Sequence, residues 1–201
     1  MQERWLLVTV ATAESPSTLR IDAWRSLRAL GAHYLQRSVC LLPLRPVTTE
    51  ALGRLTSRVE RQGGHARVFD IGRLDEVSER ATVSAFTAER TDEYTEVVSR
   101  TRAFLDDIAM ERDHGRATYP ELEASDADLM RLQQWLASIR RRDWFDAPAY
   151  AGALAAVEEC GRALAELEAA AFAAELSTTR DEAAAAPWRQ RLGVFAQASR
   201  N

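Results

Sequence analysis

The chain has 201 residues, 46% of them hydrophobic, and a formal charge of −4; it can bury a sizeable core and is not basic throughout. Its two cysteines, Cys40 and Cys160, lie far apart without a CxxC pair, which argues against a disulfide framework and a thiolate metal site. No apolar run reaches the roughly 18 residues of a membrane helix, and the first one, Trp5 to Ala13, lacks a basic leader, so a cytoplasmic protein is expected.

The charge is unevenly spread. All 26 basic residues are arginine, and residues 1–75 hold a balance of +4, leaving −8 for the remainder. A basic first half and an acidic second half suit a phosphate-facing module and a solvated helical one. Ordinary variation in surface composition explains the same numbers, and an alanine-rich, lysine-free composition weakens any single arginine as a signal.

Trp5 to Val10 is a short continuous β-prone run of the kind found in a covered central strand. Ser15-Pro16 provides an N-cap and a first-turn proline, and the spacing predicts a helix from there to Gly31, its C′ residue. Leu19, Ala23, Trp24, Leu27 and Leu30 are assigned to its core side, with Arg25 and Arg28 opposite. Ala32–Gln36 and Ser38–Leu42 form an expected hairpin with a kink at Gln36-Arg37, ended by Pro43 and Pro46. A second helix is expected from a cap at Thr48 or Thr49, with Leu52, Leu55 and Val59 inward, to Gly63-Gly64, and a last strand from Ala66 to Ile71.

The order β, α, β, β, α, β predicts an α+β fold: a ferredoxin-like antiparallel sheet over residues 1–75, two helices on one face, the other face free for a second domain or a second copy. Residues 72–90 read as a polar, partly helical connector with Val83 and Phe86 as anchors. Three helical stripes follow within a helical domain over 76–176: Tyr94 to Ile108, Leu129 to Ile139, and Leu154 to Ala171, packed antiparallel. Ser125 to Asp128 resembles a capping box, and Pro120 and Pro148 mark helix ends. Residues 177–201 are expected to be a partly helical or loosely docked tail in which Trp188, Leu192 and Phe195 are large enough to dock.

Few residues suggest chemistry. His33, His65 and His114 sit in separate elements without ligand spacing, so no metal or other cofactor is expected. The acid pairs Asp106-Asp107 and Glu158-Glu159 read as solvated helix charge, and there is no nucleophile elbow, phosphate loop or cysteine with a neighbouring histidine. Arg140, Arg141 and Arg142 could hold an oxyanion; equally they cap the end of a helix beside Asp143, with Trp144-Phe145 as a core plug. Arg20, Arg25, Arg28 and Arg37 fall on the first helix and the hairpin beside it, where they could follow a nucleic-acid backbone or form a solvated face.

At Trp5-Leu-Leu, Leu19 to Ala32, Gln36 to Pro43 and Arg142-Asp-Trp-Phe145 the sequence resembles the N-terminal domain of the chromate-resistance protein family ChrB, from Arg4 to about Phe172. The resemblance implies a DNA-binding transcriptional regulator of a chromate efflux operon, with chromate as the inducing oxyanion and DNA as partner; a homodimer is expected as well. ChrB proteins usually carry a further C-terminal domain, which leaves open whether this chain senses chromate itself. The same segment also resembles the ferredoxin-like domains of the CRISPR Cas2 nucleases and of the phenylacetate repressor PaaX. In the nucleases the first strand ends in an aspartate; here Val10-Ala-Thr-Ala13 offers no carboxylate, so binding without cutting is expected, and a non-enzymatic dimerisation or adaptor module is the alternative.

Overall fold

The computed structural model describes residues 3–12, 17–114 and 117–185, without the side chains of 114 and 178–185. In chain order the elements are β1 (Trp5–Ala11), α1 (Ser17–Ala29), β2 (His33–Gln36), β3 (Val39–Pro43), α2 (Pro46–Arg61), β4 (His65–Gly72), α3 (Glu76–His114), α4 (Tyr119–Arg140) and α5 (Ala149–Ala185). The strands pair antiparallel in the order β2-β3-β1-β4, with Val8 between Cys40 and Val68. This is the expected ferredoxin-like α+β arrangement, followed by helices.

Strand alternation sorts the sheet residues onto two faces. Leu6, Val8, Cys40, Leu42 and Ala66 pack with Leu19, Ala23 and Leu27 of α1 and Leu52, Leu55 and Val59 of α2. On the opposite face Trp5 and Leu41 meet Phe86 of α3, with Val83, Trp144 and Phe145 around them. Trp5, Phe86 and Phe145 form an aromatic cluster with ring centroids 5.5–5.8 Å apart. The β1–β3 part of this second sheet face is covered by this chain's own α3 and the turn after α4, while Phe69 and Ile71 of β4 stay exposed.

That finding corrects the reading of residues 72–90 as a connector. Asp75 caps α3 by accepting the backbone N–H groups of Val77 and Ser78, each at 3.0 Å, and the helix runs unbroken for 39 residues. Two other caps differ from expectation. Thr48 works from the third position of a helix that already begins at Pro46, accepting the Arg45 N–H at 3.0 Å and donating to the Pro43 carbonyl at 2.8 Å. Ser125 lies buried inside α4; the helix starts at Tyr119, and the preceding Thr118 donates both its N–H and its hydroxyl to Glu121, at 2.7 and 2.8 Å. The expected cap at Ser15-Pro16 and the tail residues Trp188, Leu192 and Phe195 lie outside the described residues, and α5 continues through Ser177 to Ala185.

The chain divides into two compact units whose boundaries fall inside the helices: Met1–Val98 with Gln133–Leu154, and Ser99–Leu132 with Ala155–Asn201. The second unit is a bundle of the distal parts of α3, α4 and α5, with Phe104, Ile108, Leu129, Val157, Leu164 and Leu167 buried. Cys160 lies in its core, its Sγ donating to the Thr101 carbonyl at 3.7 Å. No helix among the described residues is long and apolar enough to cross a membrane.

Within the first unit, α1 ends as its sequence dictates. Gly31 adopts φ 71°, the Gly31 N–H reaches the Arg28 carbonyl at 2.9 Å, and the Ala32 N–H reaches Leu27 at 3.0 Å. Gly31 also has a second reason to be glycine. A Cβ there would lie 2.8 Å from the Arg142 carbonyl oxygen, 2.9 Å from the Arg142 Cβ and 3.1 Å from the Arg90 Nη1. Trp144 ties the same point from its other side, its indole N–H donating to the Leu30 carbonyl at 2.9 Å.

Gly31→Ala is expected to destabilise the fold by about 2–4 kcal/mol, from positive-φ strain plus overpacking against backbone, measured by urea unfolding. Gly53→Ala, on an open helix surface where a Cβ meets nothing, serves as the control and should not destabilise. Burial pushes the Cys40 thiol up to about 12 and the Cys160 thiol to about 11, from an ordinary 9.0. Both should resist a thiol reagent at pH 8 in the native protein and react fully in denaturant. Because the folded thiols hold their protons where unfolded ones release them, stability should also decline as pH rises above about 9.

Candidate nucleic-acid interface

Helix α1 carries two kinds of surface. Leu19, Ala23 and Leu27, four residues apart, face the sheet and are buried. One position further round, Arg20, Trp24 and Arg28 repeat the same spacing on an exposed stripe. Trp24 is thus not core: it is 47% exposed, with the Arg28 guanidinium carbon 5.1 Å from its ring centroid, a cation–π stack that holds both side chains against the helix. Ile21 beside it is 46% exposed.

The stripe forms one wall of a groove of about 1000 Å³ whose other wall is the β2–β3 hairpin. Arg20, Arg28 and Arg37 line it together; Arg25 does not and stands on the outer face of α1. Among the described residues none of these four guanidiniums is paired with a carboxylate. Other arginines are paired, as in Arg45–Glu3 at 2.7 Å and Arg67–Glu60 at 2.8 Å. Four unpaired guanidiniums on adjoining elements form a positive field over an apolar wall, suited to an extended anion.

The groove is polar at its inner end. Tyr34 places a buried hydroxyl there without a hydrogen-bond partner among the described residues, and burial is the main reason that its proton is held up to about 12, with Cys40 adding and Arg28 opposing. Arg90 of α3 reaches the same end and is only 5% exposed. Its Nη2 donates to Glu89 at 3.2 Å, and its Nε lies 3.1 Å from Glu93, close enough for ionic attraction but not aligned as a hydrogen bond. Glu93 also accepts from Arg142 at 2.8 Å, and Glu89 meets the His33 Nδ1 at 2.7 Å. This cluster joins β2, α3 and the turn after α4 by matched charges rather than by a surplus of one sign.

The arginine run after α4 divides in the same way. Arg140 is 2.7 Å from Asp146 and 3.4 Å from Asp143, and its guanidinium carbon lies 4.5 Å from the Tyr150 ring centroid. The hydrogen bond to Asp146 raises its pKa further. Arg142 spends its fork on Glu93 and on the Ser138 carbonyl, at 2.8 and 3.1 Å. Asp143, its side chain 1% exposed, accepts from the Tyr94 hydroxyl at 3.1 Å and from the Ala147 N–H. Of the three, only Arg141 meets no carboxylate among the described residues; Arg140 and Arg142 are engaged in closing a turn.

The histidines remain apart. His33 rests on Phe86, His65 is exposed at the start of β4 and His114 ends α3. Among the described residues no group of three His, Cys, Asp or Glu is placed to hold a metal ion. Trp24 and Tyr34 are the groove residues that the sequence reading missed. A signal for Trp24 was present: it sits midway between two arginines at i−4 and i+4, out of step by one residue with the Leu19, Ala23, Leu27 stripe.

Comparison with known proteins gives one family and one curated relative. The family described as Protein ChrB, N-terminal, matches residues 20–178, which includes α1, the groove and the arginine turn. Protein ChrB of Cupriavidus metallidurans is 31% identical over 121 residues, covering 56% of this chain and 37% of that protein. No solved structure matches. With the match running from the first exposed arginine of α1 into the last helix, this chain belongs to the ChrB N-terminal family.

Proposed function

We propose that this chain is a cytoplasmic chromate-resistance protein that acts as a DNA-binding transcriptional regulator, without catalytic activity of its own. The observation that carries the reading is the grouping of Arg20, Arg28 and Arg37 around one groove, with Arg25 beside it, all exposed and free of carboxylate partners among the described residues. Family membership supplies the chromate context. Arginine forks suit phosphate oxygens, and their field over an uncharged wall favours a polyanion over a small neutral ligand. A homodimer belongs to the proposal.

A fluorescence anisotropy titration with the promoter beside the gene tests this. Binding at low salt should weaken linearly in log K against log salt, by roughly 0.9 per phosphate contact. Arg20→Ala, Arg28→Ala and Arg37→Ala together should remove about two to three contacts from that slope and lower affinity by at least about tenfold at 100 mM salt. An unchanged slope, or no binding by the wild type, would sink the reading and favour a non-enzymatic adaptor. Repeating the titration with chromate locates the response: release of the promoter places sensing in this chain, and no change places it elsewhere.

A further inference from the structure

The grouping around one groove leaves out half of the basic surface. On its other flank α1 borders a second groove, of about 920 Å³, closed on the far side by α2. Its floor is small, with Ser26, Ala51, Gly53 and Ser57, and a Cβ built on Gly53 meets nothing within 4 Å. Its rim is basic. Arg58 donates across the gap to the Ser26 hydroxyl at 3.2 Å, and Arg61 donates to the Ser57 carbonyl at 3.2 Å; neither meets a carboxylate among the described residues. Arg54 is there too, held by Glu50.

Helix α1 is therefore a ridge with an arginine-lined groove on either side. Its 13 residues extend for about 20 Å, and its crest carries Ile21 and Arg25, both exposed, an apolar group and a guanidinium fork. A helix with side chains is about 10–12 Å across, close to the width of the DNA major groove, about 12 Å, whose two edges are rows of phosphate. We propose that α1 is the helix that enters the major groove, that Arg20 and Arg37 on one flank and Arg58 and Arg61 on the other contact the two phosphate rows, and that Arg25 and Ile21 meet base edges. Of the acidic groups at this surface, Glu50 is held by Arg54 and Glu89 by His33 and Arg90, and Asp22 is a single exposed carboxylate among the arginines of α1.

The inference rests on the DNA-binding reading above and goes beyond it by assigning α2 to the interface and dividing the arginines into phosphate contacts and base contacts. The test uses the full chain, the neighbouring promoter duplex and a scrambled duplex of equal length. Arg58→Ala with Arg61→Ala should weaken both duplexes alike and lower the salt slope by about 1 per arginine. Arg25→Ala, and separately Ile21→Ala, should leave the scrambled duplex within about twofold while reducing the preference for the promoter, by about ten- to hundredfold for Arg25. All four positions are exposed, and a matched thermal midpoint shows that each variant is folded.

The outcomes separate the two claims. If the wild type binds neither duplex, the DNA-binding reading itself fails. If it binds but the α2 variants change neither duplex, or Arg25→Ala weakens both duplexes equally, or the wild type shows no preference for the promoter, then α1 does not enter the groove as proposed, and DNA binding through the first groove stands.

Discussion

The close approach at Gly31 is the constraint on which the arrangement of the sheet unit depends. Three elements meet there with no room for a methyl group: the end of α1, the Arg142 backbone after α4, and the Arg90 guanidinium from α3. The Trp144 indole bonded to Leu30 adds the adjacent contact. Shape and polarity both act at this point, since a buried guanidinium needs counter-charge, and Glu89 and Glu93 supply it while also engaging His33 and Arg142. Removing one member would leave the others as buried charge, which makes the cluster a specifying device more than a source of net stability.

With the end of α1 fixed, the surface chemistry follows. The helix buries one narrow stripe and leaves the rest of its circumference open, because the β2–β3 hairpin and α2 stand off from it on either side. Pairing engages Arg140 and Arg142 after α4, whereas the arginines of α1 and the hairpin meet no carboxylate among the described residues, so that face is locally basic. An acidic chain can in this way present a basic face, which net charge alone conceals.

The second sheet face is closed only in part. Trp5, Leu7 and Leu41 lie under Phe86, Val83 and Phe145, which covers part of the face within one chain, while Phe69 of β4, paired with Leu7, stays 48% exposed.

Much of the fold was legible in the residues. Strand alternation and the glycines at 31 and 63 gave β1 to β4, α1 and α2 with small errors at the ends, because local sterics and hydrogen bonding decide them. The sequence also determined that Leu19, Ala23 and Leu27 are core and that arginine is concentrated in the first half. It could not determine that residues 76–90 form part of a long helix, since Val83 and Phe86 are sparse anchors whose burial depends on a sheet face brought to them from far away in the chain. Nor could it place Trp24 in the open or separate the engaged arginines from the free ones: a guanidinium is neutralised by whichever carboxylate the tertiary packing brings within reach, and those partners lie up to 66 residues away, as Asp70 does from Arg4, and 49 away in the case of Glu93 and Arg142.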